Sequence, residues 1–275
     1  MKRVTITLGI IISALALGAT AQAQVSLFNY DAAKVPQGKV LHYRKSMLDG
    51  TRATNISIYV VDRERLESLK WDPGASEATL VKARMDWRQF SVRNFESIHL
   101  ERGQPPQSRA TLSASSDGKQ LSVSFADAPV KITHWPWHSY DFDFASLNLT
   151  LPHLRDPHSD LIFWRTDVVF AGESMSFKEI GGVRMHFEAM ELRDEQQVRR
   201  YSIGGAGLEY RYGNLWTNVS TGLIREYQLP VGDEPGFKDV RLVLERIQPM
   251  TATEWEDFKK ASIGEATAAK LSGRR

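Results

Sequence analysis

His134-Trp-Pro-Trp-His-Ser-Tyr-Asp-Phe-Asp-Phe-Ala-Ser-Leu-Asn-Leu-Thr-Leu-Pro-His-Leu154 is the stretch on which the reading of this chain turns. It holds two of the seven tryptophans, a tyrosine, two phenylalanines and four leucines, so it has to be buried, folded over a cavity, or bound to something apolar. Two spacings compete within it. Trp137, Tyr140, Phe144, Leu147 and Leu151 recur at intervals of 3, 4, 3 and 4, as on one helix face, with Ser139 placed as N-cap and Asp141 and Asp143 in the first turn. Residues 147–151 also alternate as a strand does. Pro152 biases Leu151 away from helical geometry, so the expectation is a short helix over about 140–148 that runs into an extended segment.

Outward from this stretch the chain reads as antiparallel strands. Asp49-Gly50 sits between apolar runs at 40–47 and 54–61, and Asp117-Gly118 between 111–115 and 120–125; both pairs are hairpin turns. Further strands are expected at 65–71, 80–87, 90–100, 161–170 (a central one, from its apolarity), 183–192, 199–203, 208–212, 213–218, 221–227 and 240–247. Gly204-Gly205-Ala206-Gly207 lies between strands with no helix after it, so it reads as a bend and not a phosphate loop. A turn is expected at 232–236, and Pro249 ends the sheet. Thr253 to Glu256 reads as the capping box of a terminal helix docked by Trp255 and Phe258. The fold expected is mainly β: a large curved antiparallel sheet with a short central helical segment and a C-terminal helix packing on it, both covering its concave face.

Residues 1–23 read as a secretory signal, with Lys2 and Arg3 ahead of an apolar run and Ala21-Gln22-Ala23 as the cleavage site. Residues 24–275 are expected to form a single domain in the periplasm or outside the cell, not an integral membrane protein. The chain has no cysteine, so neither a disulfide nor lipid attachment through an N-terminal cysteine is available. Without residues 1–23 the chain carries 33 basic and 33 acidic residues, a balance that argues against nucleic acid as a partner.

Signatures of catalysis are sparse. His134, His138, His153 and His158 lie near Asp141, Asp143 and Asp156, but Pro136 separates the first two and no ligand-and-base motif follows, so neither a metal nor a cofactor is expected. Ser116 and Lys119 match S-x-x-K only within a hairpin turn, where the lysine cannot lie over the serine. Asn55, Asn148 and Asn218 head Asn-x-Ser/Thr triplets that matter only in a glycosylating pathway. Paired carboxylates for glycoside cleavage leave no spacing in a sequence.

The aromatic signal therefore carries the functional reading. Trp135, Trp137, Tyr140, Phe142 and Phe144 are core residues, the lining of an acyl or lipid pocket, or a sugar-stacking platform.

Residues 213–247, GNLWTNVSTGLIREYQLPVGDEPGFKDVRLVLERI, resemble the last meander of the periplasmic lipoprotein-carrier and lipoprotein-receptor superfamily, with Leu215-Trp216 on one strand, a turn ending Thr221-Gly222 and an outgoing strand at 223–227. The resemblance implies a half-barrel, an unclosed curved sheet whose concave face holds an acyl chain or other apolar ligand. It would place Trp135, Trp137, Tyr140, Phe142, Phe144 and Leu147 beside that ligand. This chain departs from the pattern in having its main helical stretch mid-chain and in lacking the receptor branch's cysteine. The function expected is that of an exported, non-enzymatic envelope protein binding a lipid-like or other apolar ligand or a partner protein. The alternative is a carbohydrate-active envelope enzyme or glycan-binding accessory protein, which exposed tryptophans beside facing carboxylates would mark.

Overall fold

A computed structural model describes residues 24–171, 174–230 and 239–264. The expected signal segment and the turn at 232–236 lie outside the described residues.

Among the described residues, fifteen strands form one sheet. The first eight are a meander: β1 Lys39–Met47, β2 Thr54–Val60, β3 Arg65–Trp71, β4 Glu77–Asp86, β5 Ser91–Glu101, β6 Gln107–Ala114, β7 Gln120–Val123 and β8 Val130–Lys131. Next come β9 Trp137–Ser139 and helix α1 Ala145–Thr150, followed by β10 Leu161–Ala171, β11 Ser174–Arg193, β12 Gln196–Gly204, β13 Tyr212–Asn218, β14 Ile224–Leu229 and β15 Val240–Pro249; helix α2, Ala252–Gly264, ends the described chain. β1 pairs with β15, so the two halves join at mid-sheet and the order runs from β8 through β1 and β15 to β9. All pairings are antiparallel except β9 with β10, which the chain reaches by a crossover through α1.

Both Asp-Gly turns form as expected, with Gly50 and Gly118 in the left-handed region that a side chain disfavours. The edges are blunted: β8 has two residues and β9 three, and the β9 residues are buried, which leaves little template for another chain.

The two faces have different covers. Leu41, Tyr43, Ile56, Ile58, Leu66, Leu215, Tyr227 and Leu242 pack with the 134–154 insert. Val40, Tyr59, Leu69, Leu80 and Ile98 point the opposite way and pack under Trp255 and Ile263 of α2. The Ser91 hydroxyl at the start of β5 accepts from the Trp137 amide of β9 at 2.9 Å, although these strands are far apart in the sheet order. The sheet therefore curls around the insert, and α2 lies on the convex side.

Several expectations are corrected. α2 does not share the concave face with the insert. Its capping box is Thr251 with Glu254, two residues earlier than expected, each backbone amide bonded by the other's side chain. The central helix starts at Ala145, not 140: Ser139 is a β9 residue, and Asp143 and Phe144 both take left-handed φ (48° and 54°) in the turn that leads in. Leu151 stays helical despite Pro152, because the proline occupies the first turn of a 3-10 segment, Leu151–His153, where its missing amide costs nothing. Residues 208–211 are no strand; a 3-10 turn, Ala206–Leu208, leads into β13 after the bend at Gly205. β10 is next to the edge, its apolarity explained by the insert on one side and β9 beside it.

Candidate functional site

The concave interior is where the expected ligand-binding residues meet. Trp137, Tyr140, Phe142, Phe144 and Leu147 are each buried, at most 4% exposed, and Trp135 is half-buried at their margin. Tyr140 lies 5.2 Å from Phe144 between ring centres; Phe144 meets Phe163 edge-on at 5.5 Å and Tyr227 at 6.4 Å, and Trp137 meets Phe177 at 6.4 Å. At roughly 25 cal/mol per Å² of apolar surface, an aromatic side chain that buries about 150–250 Å² contributes on the order of 4–6 kcal/mol. The insert is thus a large part of the core.

Charged groups sit inside this apolar setting. Lys45 Nζ lies 2.5 Å from Asp143 Oδ1, and both side chains are buried. Arg165 pairs with Asp167 through Nε (3.0 Å) and donates to the Gly207 carbonyl (3.2 Å). Lys45 and Arg165 flank the Tyr140 ring at 5.1 and 4.9 Å. Asn148 of α1 donates to the Tyr43 hydroxyl (2.6 Å) and accepts from the Ile224 amide (2.8 Å), while Tyr43 donates to the Ile224 carbonyl (2.8 Å). The Asn148 triplet is consequently sealed in the core. The buried hydroxyls of Tyr140 and Tyr227 have no partner among the described residues.

Asp141 keeps contact with water yet is crowded by protein on its other sides. That crowding, with the Asp167 and Asp143 charges nearby, pushes its carboxyl up to about 6 against the opposing pull of Lys70 and Lys45.

The histidines scatter. His134 stacks on Trp164 (3.5 Å) and holds Glu179 (2.6 Å). His138 meets Ser146 in the core, His153 accepts from the Asp31 amide, and His158 lies exposed beside Asp156. Among the described residues no group of three or more His, Cys, Asp or Glu is placed to hold a metal ion.

Sequence reasoning missed Lys45, Asn148, Arg165 and Asp167. A signal was present for two of them: Lys45 continues the inward positions Leu41 and Tyr43, and Arg165 continues Leu161 and Phe163. A charge on an apolar face marks a buried partner.

No family model matches the chain, and no curated protein does. Solved structures similar to it include a DUF1329 family protein from Desulfovibrio piger, at 10% identity and TM-score 0.32, covering 84% of this chain and 94% of that one. A putative outer membrane lipoprotein-sorting protein domain from Vibrio parahaemolyticus aligns at 10% identity and TM-score 0.22, covering 90% and 97%. A LolA superfamily protein from Nitrosomonas europaea aligns at 8% identity and TM-score 0.21, covering 89% and 97%. Identities and scores this low carry no argument about activity, which rests on the site itself. Among the described residues no helix is long and apolar enough to cross a membrane.

Proposed function

We propose that this is an exported, non-enzymatic envelope protein that holds an acyl chain or similar apolar ligand on the concave face of its half-barrel, the 134–154 insert being the resident cover that the ligand displaces. The supporting observation is how the insert is seated. Asp143 and Phe144 lead into α1 as two successive left-handed residues, and the Tyr140 and Tyr227 hydroxyls are buried without partners among the described residues. Each departure costs on the order of 1–3 kcal/mol. Lys45 and Asp143 add a buried ion pair, weaker support than an apolar seam of equal volume. A cover seated this way is poised to lift, taking the three-residue edge strand β9 with it, while the other fourteen strands stay paired. The sugar-binding alternative calls for exposed tryptophans, and all seven are buried or half-buried.

The test is native mass spectrometry of the mature protein purified from its own envelope, followed by solvent extraction. A stoichiometric lipid is the expected result. A clean apo mass, together with no uptake of a fluorescent fatty acid, overturns the reading.

A second reading keeps the ligand class and moves it to the convex face. There Leu80, Ile98, Leu100 and Ile263 floor a groove of about 470 Å³ beside α2, rimmed by Lys82 and Lys260, which is open as it stands. That volume lies within the roughly 300–1,000 Å³ of small-molecule sites. Leu100→Glu abolishes fatty-acid uptake if the ligand sits there and leaves uptake intact if it sits under the insert.

A further inference from the structure

A smaller cavity, of about 120 Å³, lies where the end of the insert meets the β13–β14 turn. Pro152 and Leu154 of the insert, Arg199 and Tyr201 of β12, Ser220 of the turn and Lys34 from the N-terminal segment line it; its lining holds two cations and no carboxylate. Two acids of the flanking segments are engaged in their own turns. Asp31 accepts from the Ala33 amide, and Asp156 from the His158 amide and the Ser159 hydroxyl.

Arg199 is the telling residue. Its Nε is buried without a hydrogen-bond partner among the described residues, and neither Arg199 nor Lys34 has an ion pair among them. Only the Nε edge is withdrawn from water, since Arg199 as a whole is half-buried; that edge of a guanidinium is satisfied by a carboxylate, a phosphate or a carbonyl. The polar groups around it do not serve. Tyr201 donates to the Pro157 carbonyl at 2.7 Å, and the Ser220 and Thr221 hydroxyls turn to Asn218 Oδ1 at 2.7 and 3.3 Å. An acceptor from outside that carries negative charge answers both Arg199 and Lys34, and the cavity requires it to be small. The space is well below the roughly 300 Å³ at which pockets for drug-sized ligands begin, so it excludes an acyl chain and suits a tetrahedral oxyanion.

We propose that this cavity binds a phosphate group, with Arg199 as the forked donor and Lys34 as the second charge. The group is either free inorganic phosphate or the phosphomonoester of a lipid headgroup. The site is independent of the acyl reading above: it stands if the concave face holds no ligand, and falls without affecting that reading.

The full mature chain is titrated calorimetrically at low ionic strength with inorganic phosphate and, separately, with dihexanoyl phosphatidic acid below its micelle threshold. Saturable one-to-one binding of at least one probe is expected, weakened about tenfold in Arg199→Gln, which loses the charge-assisted fork, and about threefold in Lys34→Gln. Lys34 is exposed, so its variant keeps the test valid if Arg199→Gln folds poorly. Phosphatidate binding about tenfold tighter than phosphate assigns the site to a lipid headgroup, and equal affinity assigns it to the free anion. No saturation by either probe up to roughly 10 mM, or wild-type affinity in both variants, overturns the proposal.

Discussion

Lys45 Nζ of β1 and Asp143 Oδ1 of the insert meet at 2.5 Å with both side chains buried, and this pair fastens the cover to mid-sheet. Removing one partner leaves the other charge in an apolar core. Lys45→Met is therefore expected to cost about 3–5 kcal/mol, read as a lowered urea midpoint, and Lys45→Met with Asp143→Asn to recover most of it. Asparagine is the chosen replacement because it tolerates the left-handed backbone at position 143. A single variant as stable as the wild type would mean that the pair is hydrated in solution.

Acid is expected to weaken the fold between about pH 6.5 and 4. Burial lowers His42 to about 4, helped by Arg246, His138 to about 3, and His153 to about 4, helped by Lys34. A base with a depressed folded pKa contributes stability present above its unfolded value near 6.5 and lost as pH falls toward the folded one. Asp141 acts in the opposite sense: its folded pKa is raised to about 6, so its contribution is present below its unfolded value near 3.8 and lost as pH rises through 6. Urea midpoints measured from pH 7 to 4.5 should fall for the wild type, fall less for His138→Asn, and fall more steeply for Asp141→Asn. Parallel profiles for the three proteins would contradict both assignments.

The parts of this fold that local chemistry dictates were legible in the sequence. Asp49-Gly50 and Asp117-Gly118 need φ > 0 and announce their hairpins, and β3 falls at the residues expected, because turn residues and alternation are short-range signals. The half-barrel and its two helical segments were legible at the level of class. What was not legible depends on distant partners. The β1–β15 pairing and the convex seat of α2 are set by residues more than 160 positions apart, such as Trp255 donating to Glu67 and Arg102 donating to the Ile263 carbonyl in the same region. The late start of α1 follows from β10: the Tyr140 amide bonds to Thr166 and ties the expected first turn to that strand. The aromatic residues singled out do converge, but their charged companions Lys45, Arg165 and Asp167 come from strands that periodicity assigns to an apolar face.

Trp137 separates core from lining. Its ring is 2% exposed, beside Phe177. As core, Trp137→Ala costs about 3–5 kcal/mol in a denaturation curve, with bound lipid lost only in proportion to unfolding. If a ligand displaces the insert, the variant frees volume beneath the cover, and fatty-acid uptake per folded molecule rises. Uptake abolished at unchanged stability would instead make Trp137 a direct contact in a pocket already open.

Gly222 closes the β13–β14 turn onto the insert. Its φ is +73°, and a Cβ there would come within 2.7 Å of Pro152 Cα, an atom of the main chain that cannot swing aside. Gly222→Ala thus meets two penalties, a left-handed backbone and a clash, and is expected to cost about 1–3 kcal/mol. The relief is local: the turn at 219–222 withdraws from Pro152 and widens the space before Arg199. Hydrogen exchange checks this, because the Gly222 amide is held by the Asn218 carbonyl at 2.8 Å and the Asn148 side chain holds the Ile224 amide at 2.8 Å. Faster exchange at both positions, with β1 and β2 amides unchanged, places the loss at the seam between turn and insert. A uniform increase across the sheet would mean that the seam is no weaker than the rest of the half-barrel, and that the insert does not lift separately.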